Sequence, residues 1–235
     1  MINLTVNGIE MTAEKKLIKN MYIRVIPPDG KVRITAPLSA TEDAIRMFAV
    51  SRIVWIKKQR QKFAEQPRQT ERKYMSGESH YLWGRRYRLD VVHSNIRNDV
   101  SVSGQKIILQ VRRDSTTQQR ANVMDNWYRE ILKNAIPAVV EKSEKLVGIK
   151  ASEWQIKNMR TKWGTCNVKA KRIWLNLQLA KKTPESLEYV VIHELVHLLE
   201  KSHNDIFRAY MDNFYPNWRT VKDNLNEQML DHMEE

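Results

Sequence analysis

The stretch Tyr189-Val190-Val191-Ile192-His193-Glu194-Leu195-Val196-His197-Leu198-Leu199 decides how this chain is read. Upstream of it, Thr183 is placed to cap a helix, Pro184 suits the first helical position because its missing amide hydrogen would have had no partner there, and Glu185 complements the dipole. Leu187, Val190, Val191, Ile192, Leu195, Val196, Leu198 and Leu199 then wrap most of the helix circumference, so burial on most sides is expected. Into this apolar helix the sequence sets His193, Glu194 and His197. Burying them without partners is costly. Residues four apart stand about 40° apart around a helix of 3.6 residues per turn, so both imidazoles reach one point, where a zinc ion (or another divalent metal) compensates their burial. Zinc acidifies a bound water to a pKa of about 7, and Glu194 beside it can take the proton as the water attacks a polarised carbonyl. The plainer alternative is a pair of histidines satisfied by backbone or carboxylate partners inside a core helix.

A third ligand is expected nearby, and His203 is the first candidate. On an unbroken helix, six residues past His197 points roughly 120° away, so His203 reaches the metal only if the helix stops between them. Ser202 followed by Asp205 reads as a capping-box-like start of a second helix, with His203 in its first turn and Phe207, Tyr210, Met211 and Phe214 continuing an apolar stripe. The three histidines have the spacing of the metzincin motif, but Glu200 stands where that motif has a glycine, so a non-glycine turn is required. Glu227 is the rival third ligand.

Working outward, Arg113-Asp114-Ser115-Thr116-Thr117 has no apolar residue, and a long helical pattern follows it to about Val147, interrupted by Pro137. This composition shift predicts an accessory region over 1–114 and a catalytic domain over 115–235. In the first, alternation in Tyr22–Ile26 and Lys31–Thr35 around Pro27-Pro28-Asp29-Gly30 predicts a hairpin, one helix runs from Thr41 to about Gln66, and Tyr87–Val92 and Ile107–Val111 read as strands. In the second, Trp154–Met159 and Arg172–Leu179 are strand candidates joined through Lys162-Trp163-Gly164-Thr165-Cys166, and the rest is helical. The fold class expected is α+β.

The lone Cys166 excludes an internal disulfide framework. Met1–Gly8 lacks the pattern of a secretion signal and no apolar run approaches membrane-spanning length, so a cytoplasmic protein with no membrane partner is expected. The net charge of +13 predicts attraction to polyanions, nucleic acid included, although much of it can be solvated surface. Between Glu153 and Glu185 every charged residue is basic.

Arg160 with Lys162-Trp163-Gly164-Thr165-Cys166, the strand Ile173–Leu179, Tyr189–Leu198 with its two histidines, and His203 with Phe207 and Pro216 together resemble the YgjP-like metallopeptidases, a bacterial group related in pattern to SprT-like and WLM proteases. The resemblance implies a zincin-like domain, a small sheet beside the metal helix, with His193, His197 and His203 as ligands and Glu194 as base. Two departures are visible: Thr165 stands where serine is usual, and Arg208 follows Phe207 where tryptophan is common.

Three functions follow. A metallopeptidase would bind an extended peptide or protein substrate along a strand edge beside the metal helix. A nucleoside triphosphate (phosphoanhydride) hydrolase would use basic residues such as Arg160 and Lys162 on the phosphates. A basic nucleic-acid-binding module would keep a structural zinc and stack bases on Trp83, Trp163 or Trp174. Among further residues, Arg160 is a candidate for stabilising negative charge in catalysis, and Lys162 and Arg172 for substrate binding. Tyr189 and Tyr210 are alternative oxyanion donors, while His80, His93 and His232 lack ligand spacing.

Overall fold

Asn7 and Gly8 take positive φ, 49° and 74°, as a two-residue hairpin turn requires, and fold β1 (Ile2–Val6) antiparallel onto β2 (Ile9–Lys16). The computed structural model describes residues 1–26, 29–65, 72–159 and 161–227. The expected hairpin is present as β3 (Tyr22–Ile26) against β4 (Lys31–Pro37), its Pro27 and Pro28 lying outside the described residues. β4 also runs parallel to β2, giving the order β1-β2-β4-β3. Alternation puts Met11, Ala13, Val32, Ile34 and Ala36 on one face, where they share a core with Ile45, Ala49 and Ile56.

Those last three residues sit on two helices, α1 (Glu42–Ser51) and α2 (Ile53–Glu65), where one was expected. Thr41 caps α1 by accepting a hydrogen bond from Ala44 N at 3.2 Å. At its other end Ser51 Oγ donates to Phe48 O at 2.8 Å and Arg52 N turns back to Ala49 O, so the helical ladder is interrupted at Arg52.

A second sheet, order β5-β6-β8-β7, is formed by β5 (Ser79–Leu82), β6 (Arg85–His93), β7 (Asp99–Ser103) and β8 (Lys106–Val111). The helix α3 (Thr117–Val147) follows, opened by a reciprocal capping box between Thr116 and Gln119 and closed by Gly148 in the left-handed conformation. Its stripe Met124, Tyr128, Leu132, Ile136 and Val140 is buried in the same core as Leu89, Ile107, Leu109 and Val111 of the sheet. The chain accordingly divides into the compact units Met1–Thr70 and Glu71–Glu235. The boundary expected at 114 falls inside the second unit, because the polar stretch there joins two layers of one core.

The third sheet, order β10-β11-β9, comprises β9 (Glu153–Lys157), β10 (Gly164–Asn167) and β11 (Arg172–Asn176). Gly164 to Cys166, expected to belong to a connection, are thus part of the edge strand β10, antiparallel to β11. A 3-10 turn (Leu177–Lys181) leads to α4 (Pro184–Val196), followed by α5 (Asp205–Phe214) and α6 (Trp218–Glu227). Leu187, Val190, Val191, Ile192, Leu195 and Val196 are buried as their spacing demands, whereas Leu199, beyond the helix end, is 41% exposed. The described residues form an α+β protein of six α-helices and three mixed sheets. Among them no helix is long and apolar enough to cross a membrane.

Candidate metal centre

His193 lies in the last turn of α4 and His197 is its C-cap, with helical φ and ψ of −63° and −18°, so the two imidazoles share one face. The helix then tightens. Leu198 N bonds to Leu195 O and Leu199 N to Val196 O, while the Glu200 carboxylate accepts from Ser202 N at 2.9 Å. No residue from 197 to 204 has a positive φ, so the chain reverses without the glycine that the motif's spacing called for. Asn204, rather than Ser202, caps α5, its Oδ1 accepting from Phe207 N at 3.0 Å. His203 is therefore in the connection just ahead of α5 and not in its first turn.

This turn brings three rings together. His203 Nε2 is 3.0 Å from His193 Nε2 and 3.1 Å from His197 Nε2. Phe207, buried beneath them, has its ring centroid 4.9, 4.7 and 4.8 Å from those of His193, His197 and His203. His197 Nδ1 is 3.2 Å from Glu200 O, and because a carbonyl can only accept, that nitrogen carries the proton and Nε2 presents its lone pair. Burial, and then the neighbouring His197 and His203, hold His193 down to about 3. Burial lowers His197 and His203 as well. Neutral imidazoles with lone pairs turned to a common point are the form in which histidine binds a cation, so the donor set fits a divalent metal such as zinc.

Glu194, 4% exposed, is held against the edge strand. A Cβ added to Gly164 would stand 2.5 Å from Glu194 Oε1, 2.8 Å from Glu194 Cγ and 2.8 Å from Val190 Cγ1, so only a glycine at 164 lets α4 approach β10 this closely. Burial pushes Glu194 up to about 8, opposed by Lys162; burial and the Glu194 charge push the Cys166 thiol up to about 11. Tyr189, one turn before His193, places its hydroxyl 3.5 Å from His193 Nδ1.

The loop entering β10 is pinned from below by Asn176, which is fully buried. Its Nδ2 donates to Met159 O and Lys162 O, both at 2.7 Å, while Oδ1 accepts from Gln178 N at 3.1 Å and Met159 N at 3.4 Å. The backbone adds Asn176 N to Trp163 O at 2.9 Å. One side chain thereby fixes both ends of the segment 159–162.

Of the other residues singled out in the sequence, Lys162 lines the cleft around the imidazoles. Arg172 does not: it pairs with Glu153 at 2.5 Å and lies over the Trp174 ring. Arg160, His232 and the Glu227 side chain lie outside the described residues. His80 and His93 are not in the cluster, Tyr210 stacks on Phe214, and Trp83 and Trp163 pack against the core. Lys181 and Lys182 of the acid-free stretch are buried, and burial lowers both ammonium groups, Lys182 to about 8. Lys169, of the acid-free basic stretch, also lines the cleft; reading the sequence missed Lys201 and Lys222, since nothing local marks Lys222, on a helix well after the motif, as facing it. Asn176 had a signal: an uncharged polar residue directly after the apolar run Ile173–Leu175.

Three neutral imidazoles converging beside a buried carboxylate can hold a divalent metal, and such an arrangement is capable of metal-dependent hydrolysis. Comparison with known families agrees in class: the model described as YgjP-like, metallopeptidase domain, matches residues 19–228, and the chain belongs to that family. Among solved structures it is similar to the metallopeptidase zymogen abylysin of Pyrococcus abyssi (18% identity, covering 42% of this chain and 99% of that one, TM-score 0.38). It is also similar to the metallopeptidase zymogen jannalysin of Methanocaldococcus jannaschii (24% identity, covering 40% of this chain and 97% of that one, TM-score 0.36). No curated protein matches the chain.

Proposed function

We propose that the chain is a zinc metallopeptidase of zincin-like arrangement in which His193, His197 and His203 hold the cation and Glu194 is the general base. The observation that carries this reading is the approach of His203 Nε2 to within 3.0 and 3.1 Å of the Nε2 atoms of His193 and His197, with buried Glu194 adjoining in sequence. A bound zinc supplies Lewis acidity that polarises a carbonyl and acidifies water. The Glu194 carboxylate takes the proton of the attacking water and passes it to the leaving amine. Tyr189 lines the cleft, its hydroxyl 3.5 Å from His193 Nδ1, and in this reading donates a hydrogen bond to the developing oxyanion. β10 is the edge of its sheet and lines the same cleft, so an extended peptide can pair with its unbonded backbone groups. The His193 and His197 rings, backed by Phe207, are kept from turning away.

The test is Glu194→Gln, which keeps shape and hydrogen bonding but removes the base. Wild-type zinc content with hydrolysis of unfolded protein lost is expected; hydrolysis retained in the variant would sink the mechanism. A second reading, hydrolysis of a phosphoanhydride such as a nucleoside triphosphate, is favoured by the lysines that line the cleft. Turnover of nucleoside triphosphates but of no peptide distinguishes it.

A further inference from the structure

Four lysines line the cleft, each from a different stretch of chain: Lys162 before β10, Lys169 in the β10–β11 turn, Lys201 between α4 and α5, and Lys222 on α6. The only acidic residue lining it among those described is Glu194, which is buried at its floor. None of the four lysines has an ion pair among the described residues. Lysines elsewhere do: Lys16, Lys106 and Lys142 have carboxylate oxygens at 3.0, 3.0 and 2.6 Å. Asp223, beside Lys222 on α6, acts on the cleft-lining Tyr189 but does not itself line the cleft and makes no ion pair with the four lysines. Other acidic residues of these helices and their connections are engaged elsewhere. Asp205 pairs with Arg208, Asp212 with Arg219 and Glu188 with Lys142, while the Glu200 carboxylate accepts from Ser202 N.

A concave surface lined by one sign of charge focuses its field inward. Lys162 acts on Glu194, and Lys222 on His193 and His203, so the positive potential extends to the reacting centre from two sides. Lys162 and Lys169 also bracket β10, the strand along which an extended chain would pair. A neutral or basic peptide laid there leaves these ammonium groups unpaired or meets repulsion, whereas aspartate or glutamate side chains on either side of the scissile bond neutralise them.

We infer that the cleft selects peptides bearing acidic side chains on both sides of the bond to be cut, an inference that rests on the metallopeptidase reading. Exposed ion pairs are individually weak and screened by salt, so the selection works through several of them at once and is lost at high ionic strength. The experiment uses the full-length zinc-loaded protein and three quenched fluorogenic peptides of one length and one central sequence, with flanking positions all Glu, all Gln or all Lys. The expected kcat/KM falls from Glu to Gln to Lys, by roughly tenfold at each step at low salt, and the steps shrink as salt rises. The double variant Lys201→Glu with Lys222→Glu is expected to reverse the order of the Glu and Lys peptides. Equal rates on all three peptides, a preference for Lys, or an unchanged order in the double variant overturns the inference while leaving the metallopeptidase reading standing. Cleavage of none of the three, with nucleoside triphosphates hydrolysed or not, overturns both.

Discussion

Replacing Gly164 by alanine tests whether Glu194, the proposed general base, is positioned by close packing. The residue is not in the left-handed region, so alanine meets no backbone objection and the effect is purely steric. Its Cβ would lie 2.8 Å from both Val190 Cγ1 and Glu194 Cγ, about 0.7–1.2 Å inside ordinary carbon contact. Val190 and Glu194 are one turn apart on the same face of α4, so both contacts push the helix away from β10. Retreat is blocked, because Val191, Ile192 and Leu195 are fully buried. Relief must come from a shift of the Glu194 side chain together with some overpacking, which costs about 1–3 kcal/mol. For a chain of this size that lowers Tm by roughly 2–12 °C. Misplacing a catalytic group by about 1 Å costs on the order of a hundredfold in rate. No added atom comes within 4 Å of a histidine among the three nearest contacts, so zinc content should be unchanged. Thermal unfolding, metal analysis and kcat on a cleaved peptide read the three effects separately. A variant with kcat within twofold of wild type would refute the argument that Gly164 seats Glu194.

Asn176→Ala leaves the carbonyl oxygens of Met159 and Lys162 without their donor, at about 1–3 kcal/mol for each buried group left unsatisfied, and should speed hydrogen exchange at Trp163 and Gly164 before it unfolds the protein. Unchanged exchange there would show that the loop is held by something else. His203→Ala should weaken zinc binding by more than about a hundredfold, the upper range for losing a mere supporting partner of a ligand, as read by competition with a chelator; unaltered affinity would point to Glu227 or another third donor. Chelation of the wild type should abolish hydrolysis and lower Tm together, with zinc restoring both. His80 supplies a pH prediction. It is 1% exposed, and burial, then the charges of Arg72 and Lys181, hold it down to about 3; Glu78 Oε2 lies 3.4 Å from Nε2 without hydrogen-bond geometry and does not offset them. The unfolded chain takes up a proton near pH 6.5 and the folded one only near 3, so stability is lost as pH falls through that window, by about 2 kcal/mol from pH 7 to pH 5. His80→Phe should remove that part of the acid sensitivity in urea unfolding; an identical pH dependence in the variant would contradict it.

Much of the fold was legible because period and caps agreed. Pro184 and Glu185 opened α4 after Thr183, which holds the N-cap position but makes no side-chain cap hydrogen bond, the helical pattern carried α3 to Val147, and alternation on either side of residue 30 gave β3 and β4. The N-terminal hairpin was overlooked although Asn7-Gly8 announces it and both flanking strands alternate, through Ile2-Asn3-Leu4-Thr5-Val6 and Ile9-Glu10-Met11-Thr12-Ala13. The break at Arg52 was illegible for a different reason. It depends on a serine hydroxyl competing for a backbone carbonyl, which no apolar period records. Likewise the polar stretch at 113–117 looked like a domain boundary, because composition distinguishes exposed from buried segments but does not say whether the cores on either side are one.

The site divides along the same line. His193, Glu194 and His197 were legible because a helix fixes their directions in advance, whereas His203 depended on how the chain turns. A glycine at position 200 would have made that turn easy to read, but Glu200 instead joins it with its own atoms: its carbonyl faces His197 Nδ1 at 3.2 Å and its carboxylate accepts from Ser202 N at 2.9 Å. The residue that reverses the chain therefore also orients one of the three imidazoles. A glycine there could supply the carbonyl but not the carboxylate, so Glu200→Gly should leave the reversal possible and loosen the 200–202 connection that presents His203. Position 200 thus belongs to the centre's architecture for a reason that the spacing of the histidines alone does not reveal.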